Sequence, residues 1–356
     1  GLALVKEIIE KYGGTVAVLN GSGRCYIGWD GGGQLNMYGG LAQFKNLRAD
    51  GQGGLLTLNG GELRLGNGGI DNPTGPVTIN LGGGTLSSYE TWTSALAMGL
   101  TGIGGNVTIA PAAGQTITLS GALSGVGGIV KTNTGTLVLS AQNTYSAGTT
   151  VNDGTLNVGG ADDGASRVGP GILTINTGAT VRVIAANPLG WDNSAVTPAV
   201  VISNGTFDAQ TYNASFRTLT MNGGTVTRAA GFWYFNQPGA INAVGGNPLI
   251  SGGTMQLRPA GGVNMPIDVA SGATLAISTV LANDSGAAGF QKTGGGVLTL
   301  SSANTFTGNT TIGGGKLKLD TAGTIASSPT ITVGAGTTFD VSTVTGGYTL
   351  GAAQAL

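Results

Sequence analysis

The sequence predicts an all-β protein in which short strands coil into stacked turns, a β-solenoid. Glycine accounts for 69 of 356 residues, 40% of residues are hydrophobic and only 9% are charged. A short sequence pattern recurs along the chain: it consists of a turn, often a threonine, and then alternating apolar and polar residues. The stretch from Gly128 to Val158 also recurs without a gap 161 residues later, from Gly289 to Leu319. Such conservation of apolar and turn positions is typical of repeats that stack on their neighbours.

The recurring pattern predicts one strand per copy. One face of each strand should point inward, because the apolar residues alternate with a period of two. Copies begin, for example, at Gly14, Gly33, Gly61 and Gly84. Successive copies start roughly 19 to 31 residues apart, within the range of stacked structural repeats. Asn-Gly turns favour hairpins as the rival interpretation. A meander of hairpins would repeat nearer about 8 to 12 residues, so a coil of two or three short strands fits better.

Larger similarities predict two related halves within one continuous solenoid domain. The long repeats are offset by 161 residues, and other matched positions keep nearly the same offset. We expect a first half over 13–160, a second over 161–322 and further turns over 323–356. The first residue is Gly1, not Met, and the last residues read like the start of another turn. We therefore expect a piece of a longer protein whose export segment precedes it.

Both long repeats resemble the autotransporter-associated β-strand repeat, a passenger-domain repeat of bacterial surface proteins. The second copy carries most of that pattern, as Lys292, Gly294, Gly296, Leu298, Leu300, Asn304, Thr305, Phe306, Gly308, Thr310, Ile312, Gly315 and Leu317. The first copy departs from it at Asn133, where the family usually has glycine. The resemblance implies a right-handed parallel β-helix that is exported and displayed outside the cell as a stalk, adhesin or fibre. Lysine belongs to the pattern, so Lys131 and Lys292 are expected to be structural residues at a corner.

One amphipathic helix is predicted, over residues 1–12, where apolar residues fall on one helical face and charged residues on the other. Gly13 and Gly14 follow as its stop. A helix laid across the first turn would cover the open end of a solenoid, whose unpaired backbone groups otherwise invite association. We expect it to be a cap; a fragment of a preceding domain is the alternative.

Composition argues against several classes of function. The net charge is -1 and the charged residues are scattered singly. This distribution argues against nucleic-acid binding and against membrane insertion of this segment. Histidine is absent, which removes imidazole-dependent catalysis and His-ligated zinc. The adjacent acidic pair Asp162-Asp163 lies in a glycine-rich loop and is interpreted as a solvated turn. We therefore expect no enzyme, no catalytic residues, no cofactor and no metal site.

The strongest candidate contact site is the segment Phe232, Trp233, Tyr234 and Phe235, because it puts aromatic rings on both faces of a strand. Two rings must find cover outside the core, either under the following loop or against a glycan or a partner. The expected partners are a further copy of the chain, end to end or side by side, or a surface glycan or host partner.

The predicted function is that of a non-enzymatic structural protein on a bacterial surface, a stalk, adhesin or fibre subunit. A carbohydrate-binding or carbohydrate-cleaving β-helix is the alternative. Ice binding through threonine rows, as at Thr116 and Thr118, is a third class, which uneven turn lengths make a poor fit.

Overall fold

The computed structural model describes residues 15–16, 23–27, 33–49, 53–72, 75–191, 196–258, 264–351 and 354–356. The chain divides into two compact units, one formed by Gly1–Ala161 with Ser166–Ile172 and the other by Asp162–Ala165 with Leu173–Leu356. The predicted capping helix over 1–12 lies outside the described residues. Within the described ranges every named element is a β-strand.

Unit 1 contains fifteen strands. They are β1 Thr15–Val16, β2 Arg24–Ile27, β3 Gly33–Ala49, β4 Gly54–Asp71, β5 Val77–Leu81, β6 Thr85–Ser88, β7 Trp92–Ser94, β8 Met98–Leu100, β9 Val107–Ala110, β10 Thr116–Leu119, β11 Leu123–Ser124, β12 Ile129–Lys131, β13 Thr136–Leu139, β14 Thr149–Val151 and β15 Thr155–Val158.

Unit 2 contains eighteen strands. They are β16 Leu173–Ile175, β17 Thr180–Val183, β18 Val200–Ser203, β19 Thr206–Asp208, β20 Ala214–Asn222, β21 Thr225–Thr227, β22 Phe232–Gly245, β23 Leu249–Ser251, β24 Thr254–Leu257, β25 Met265–Val269, β26 Thr274–Ile277, β27 Val280–Asn283, β28 Phe290–Thr293, β29 Val297–Leu300, β30 Thr310–Ile312, β31 Lys316–Thr321, β32 Ile331–Val333 and β33 Thr338–Val344.

Strands in unit 1 pair in parallel with strands of the next turn. In one sheet β7, β10, β13 and β15 follow one another, so that Leu119 faces Leu139 and Leu139 faces Val158. In the other sheet β9, β12 and β14 do the same. Parallel neighbours joined through a full turn are what a solenoid requires, whereas hairpins would be antiparallel. The hairpin interpretation is therefore wrong, and the predicted parallel solenoid is confirmed for this unit.

Unit 2 is built in the same way. One sheet runs through β17, β19, β21, β23, β26, β29, β31 and β33, and the other includes β25, β28, β30 and β32. Inward residues stack in files: Leu275 faces Leu298, and Leu298 faces Leu317. All three leucines are fully buried. Each contributes about 1.5–3 kcal/mol relative to an exposed side chain, so the files hold the turns together.

The handedness of the solenoid and the domain boundaries at residues 160 and 322 stay predictions. The two long repeats fall in different units, 129–158 in unit 1 and 290–319 in unit 2. Each unit therefore offers an independent view of what the repeated residues do.

Candidate functional site

The repeated lysine lies inside a corner and joins two successive turns. Lys131 Nζ donates to the carbonyl oxygens of Thr132 at 2.9 Å, Asn133 at 2.6 Å and, from the next turn, Asp153 at 2.9 Å. An ammonium group has three donors, and here all three are used. The side chain is completely buried, so the predicted structural role at a corner is confirmed.

Unit 2 repeats this arrangement around Lys292. Its Nζ donates to the carbonyl oxygens of Thr293 at 2.7 Å, Gly294 at 2.8 Å and Gly314 at 3.0 Å. In both copies the acceptors lie one, two and 22 residues further along the chain. We call this three-carbonyl arrangement the lysine clamp. Burial lowers the pKa of Lys131 to about 8 and also lowers that of Lys292, with Asp153 and Asp268 respectively acting in the opposite direction.

The repeated asparagine bonds to the turn before it and the turn after it. Asn143 Oδ1 accepts from the backbone N–H of Leu123 at 2.8 Å, and Asn143 Nδ2 donates to the carbonyl oxygen of Arg167 at 2.6 Å. Asn304 does the same with Leu281 N at 2.9 Å and Thr324 O at 3.0 Å. A buried backbone N–H needs a partner, and those of Leu123 in β11 and Leu281 in β27 find it in the asparagine oxygen. The asparagine amide supplies one to each neighbouring turn.

The repeated aromatic residue fills the interior two positions after the asparagine. Tyr145 and Phe306 are both fully buried. The hydroxyl of Tyr145 is 2.5 Å from Thr149 Oγ1, which satisfies the polar end of the ring. Phe306 needs no such partner and packs edge-on against Phe290, with ring centroids 5.4 Å apart. Burial raises the pKa of the Tyr145 hydroxyl, with the hydrogen bond to Thr149 acting in the opposite direction.

The departure from the family pattern at Asn133 has a backbone explanation. Asn133 has a φ of 60° and its counterpart Gly294 has a φ of 71°, so both occupy the left-handed region. Asparagine tolerates that region better than most residues with a side chain. Asn133 therefore keeps the same corner, and its carbonyl oxygen still serves the lysine clamp.

The aromatic segment at the start of β22 alternates as predicted. Trp233 and Phe235 point inward and are 0% and 1% exposed, whereas Phe232 is 40% exposed and Tyr234 is half-buried. Inside, Phe216 stacks on Trp233 at 5.8 Å and packs against Phe235 at 5.5 Å between ring centroids. The four-residue contact site is therefore corrected: Trp233 and Phe235 are core residues, and only Phe232 and Tyr234 face outward.

The sequence did not indicate what surrounds the outward pair. Arg258, just after β24, lies over the ring of Tyr234 at 4.2 Å from its centroid. Arg258 Nε also pairs with Asp284 Oδ2 at 2.7 Å. The register explains this, because Tyr234 lies opposite Gln256 and Leu257 lies opposite Asn283 in the next turn. One face of Tyr234 is thus covered by a guanidinium group, which leaves Phe232 as the more accessible ring of the pair.

On the other side of the strand Arg228 covers Trp233. Its guanidinium carbon lies 4.7 Å from the indole centroid, a cation–π geometry. Its Nε donates to the carbonyl oxygen of Ala230 at 2.7 Å, and a further nitrogen donates to the carbonyl oxygen of Tyr212. Burial lowers the pKa of Arg228 to about 10, with Tyr234 acting in the opposite direction. Arg228 is therefore a structural residue and is 96% buried, so it offers little to a ligand.

Within the described ranges, no group of three or more Cys, Asp or Glu residues is placed to hold a metal ion. The same part of the chain contains no helix long and apolar enough to cross a membrane. In the acidic loop Asp162 accepts from the side-chain amide of Asn187 at 3.2 Å. The repeated lysine and asparagine of each unit bond to backbone groups, and the repeated aromatic residue fills the core.

Comparison with known proteins agrees with the repeat geometry. The Passenger-associated-transport-repeat family matches residues 129–158 and 290–319, the two windows that contain the lysine clamps. The predicted resemblance to an autotransporter passenger repeat is thereby confirmed for these windows. The chain is therefore a β-solenoid protein with two passenger-type repeats.

A curated relative extends the similarity beyond the repeats. The chain is 33% identical over 144 residues to the adhesin BmaC autotransporter of Brucella suis biovar 1 (strain 1330). That match covers 40% of this chain and 4% of the Brucella protein, so the chain spans a small fraction of its relative. No solved structure matches.

Proposed function

We propose that this chain is a non-enzymatic segment of an exported, adhesin-like protein that is displayed on a bacterial surface. The observation that carries the proposal is the lysine clamp, which occurs with the same acceptor spacing in both passenger-type repeats. The name of the Brucella relative, an adhesin, supports the surface role. Together they favour an extracellular location for this segment.

The physical task of such a segment is to keep its fold outside the cell with a single cysteine and therefore no internal disulfide. Each turn must be fixed to its neighbours by the chain itself. Backbone ladders and leucine files do this along the strands, and the lysine and asparagine residues do it at the corners, where ladders end. A turn held in this way exposes few unpaired backbone groups to proteases or water.

Carbohydrate binding is a second candidate because aromatic rings face outward at one place. Phe232 is 40% exposed and its ring centroid lies 6.0 Å from that of Tyr234. An exposed ring offers an apolar face on which a sugar can stack. Carbohydrate cleavage needs two carboxylates at a defined separation, and the neighbouring Asp284 is already bonded to Arg258. Binding is therefore favoured over cleavage.

The adhesin proposal can be tested with beads that carry the purified chain and are applied to host-cell monolayers. Beads that carry the folded chain should adhere, and beads with heat-unfolded chain should not. Equal adhesion of both preparations would contradict a role for the solenoid. Sedimentation over a concentration series separately tests the expected association of the chain with further copies of itself, which predicts larger species as the concentration rises.

The carbohydrate candidate needs its own variants. On a glycan array Phe232→Ala should lose any binding that depends on the outward ring. Tyr38→Ala is the matched control, because Tyr38 is an exposed aromatic residue of unit 1 at 61% exposure. Equal loss in both variants, or no loss in either, would argue against a contact at Phe232.

A further inference from the structure

The sequence contains the N-x-Ser/Thr motif, in which the side-chain amide of the asparagine can accept a sugar. Its copies start at Asn20, Asn106, Asn204, Asn213, Asn283 and Asn309. The motif is short, and a chain rich in asparagine and threonine contains several copies of it. The fold therefore decides which copies an enzyme can read, because the asparagine and the hydroxyl residue must both be accessible.

Two copies present the motif on the outer surface of a corner. Asn106 directly precedes β9 and Asn309 directly precedes β30. In both copies the asparagine is exposed, the next residue is buried, and the hydroxyl residue, Thr108 or Thr311, is half-buried. Alternate residues of a strand lie on the same face. The amide and the hydroxyl of each copy therefore face outward together. Within the described ranges no hydrogen bond holds the side-chain amide of Asn106 or Asn309.

Both asparagines occupy the same corner of the repeat, one in each unit. In unit 1 β9, β12 and β14 follow one another in one sheet. The 161-residue offset of the long repeats puts β30 of unit 2 on β14. Asn106 and Asn309 thus each lead into a strand of the same kind, and two separate units offer the same acceptor geometry.

Two other copies have a member that the fold already uses. Asn283 Oδ1 accepts from the backbone N–H of Thr307 at 2.7 Å, and Asn283 Nδ2 donates to the carbonyl oxygen of Ala288 at 2.8 Å. In the copy that starts at Asn213 the hydroxyl residue, Ser215, is only 1% exposed. An enzyme can therefore read neither copy in the folded chain.

The copy at Asn204 differs in its backbone. Asn204 is exposed, but it has a φ of 56°, in the left-handed region. A left-handed residue turns the chain, so Asn204 and Thr206 do not lie on one extended stretch. Asn20 lies outside the described residues. The structure thus singles out Asn106 and Asn309.

Exposed apolar side chains beside Asn106 give a sugar something to cover. Ile103, in the same corner, is 77% exposed, and Val126, in the next turn, is 71% exposed. The two residues are close, because a Cβ on Gly102 would lie 3.8 Å from a methyl carbon of Val126. Apolar groups that stay exposed invite unspecific contacts. A bulky, hydrophilic sugar on Asn106 would shield them.

We propose that Asn106 and Asn309 are N-glycosylation sites, to which a glycosyltransferase adds a hexose from a nucleoside diphosphate sugar. The amide nitrogen bonds to the anomeric carbon of the hexose, and the bond between that carbon and the diphosphate oxygen breaks. The nucleoside diphosphate leaves, and the proton of the nitrogen passes to a base of the enzyme. This modification goes beyond the proposed function, because neither surface display nor adhesion requires it.

The test incubates the folded full chain with uridine diphosphate glucose and a soluble asparagine N-glucosyltransferase. Peptide mass spectrometry then locates the added hexose. We expect hexose on Asn106 and Asn309 and none on Asn213 or Asn283. Heat-unfolded chain is the control for the enzyme, because unfolding exposes every copy of the motif.

Variants of the hydroxyl residue separate the motif from mere exposure. Thr108→Ala and Thr311→Ala should each lose the hexose at their own site and keep it at the other. Thr108→Ser and Thr311→Ser are the matched controls and should keep both, because the motif accepts either hydroxyl residue. Thermal unfolding of each variant checks that the fold is kept.

Hexose on the unfolded chain but not on the folded chain would overturn the proposal, and so would its absence from both preparations. Labelling of Asn283 in the folded chain to the same extent as Asn106 would show that the fold does not select the sites. Labelling that survives both alanine substitutions would show that the enzyme does not read the motif, which would also overturn the proposal.

Discussion

Lys131 Nζ bonds to the carbonyl oxygen of Asp153, 2.9 Å away in the next turn, and this bond ties two turns together at a corner. Lys292 repeats it with Gly314 in the other unit. Carbonyl oxygens that lose such a donor inside the fold stay unsatisfied, which costs more than the bond itself contributes. The lysine is therefore a cross-link between turns as well as a charged group.

Replacement of Lys292 by Met should destabilise unit 2 by about 1–3 kcal/mol, because three corner carbonyls lose their donor. Amide hydrogen exchange across residues 290–319 reports this locally, which suits a solenoid whose turns open separately. Lys318→Met is the control, since Lys318 is only half-buried and pairs loosely with Asp320 at 3.5 Å. Its effect should stay within about 0.5 kcal/mol. Similar exchange in both variants would contradict the clamp.

The lowered pKa of Lys131 predicts a pH dependence of a defined sign. Its folded-state pKa of about 8 lies below the ordinary value of 10.5. Between these values the unfolded chain binds more protons than the folded chain, so the contribution of Lys131 to stability rises with pH. Below about pH 8 both states are protonated and the contribution is constant.

Other groups titrate in the same pH range, and their contributions to the pH dependence of stability must be subtracted. Burial raises the pKa of Cys25 to about 11 and also raises that of Tyr145, so both lower stability as pH increases. The difference in unfolding free energy between the wild-type chain and Lys131→Met removes their contributions. That difference should rise from pH 8 to 10.5. A flat difference would show that Lys131 keeps an ordinary pKa, and a falling difference would show that its pKa is raised; either would contradict the prediction.

Asn304→Ala should cost about 1–3 kcal/mol, because it leaves the N–H of Leu281 without its partner, whereas the carbonyl oxygen of Thr324 keeps the backbone N–H of residue 304. The amide proton of Leu281 should exchange faster. Asn309→Ala is the matched control within the same repeat, since Asn309 is exposed. Unchanged protection of Leu281 in Asn304→Ala would contradict the proposed link between turns.

Truncation of two neighbouring aromatic residues of β22 should destabilise the fold to very different extents. Trp233→Ala empties a fully buried site that stacks on Phe216 and should cost about 3–5 kcal/mol. Phe232→Ala removes a ring that is 40% exposed and should cost less than about 1 kcal/mol. Chemical denaturation of both variants measures the contrast. Equal costs would contradict the inward assignment of Trp233 and the outward assignment of Phe232.

The sequence predicted the solenoid because period-two alternation and corner glycines are local signals. It also identified the repeated positions, among them Lys292, Asn304 and Phe306, through their recurrence at a fixed offset. The bonding partners of these residues could not be predicted, because Gly314 and Thr324 belong to the next turn and are placed by strand register.

Register also explains what the sequence analysis missed. Arg258 reaches Tyr234 only because their strands are neighbours in successive turns. Likewise Arg24 comes opposite Asn46, and Arg48 opposite Asp71, only through strand register. The alternation of Phe232 to Phe235 was visible, but which pair of rings faced inward depended on the partner strands.

Swapping asparagine and glycine between the two left-handed corner positions should cost more at Gly294 than at Asn133. Asn133→Gly should change stability by less than about 1 kcal/mol, since glycine adopts a φ of 60° freely and the carbonyl oxygen remains for Lys131. Gly294→Asn should cost more, because a Cβ at Gly294 would lie 2.2 Å from the carbonyl oxygen of Val269.

The unfolding free energies of Asn133→Gly and Gly294→Asn, each compared with the wild-type chain, test this difference. Val269 is a backbone obstacle from the preceding turn, and a shift of that turn would disturb the ladder between β25 and β28. Asn133→Val provides the strain control, because a β-branched residue is disfavoured at positive φ and should lose about 1–3 kcal/mol. Equal tolerance of Asn133→Gly and Gly294→Asn would show that the corners are interchangeable and that close approach of the preceding turn does not select glycine.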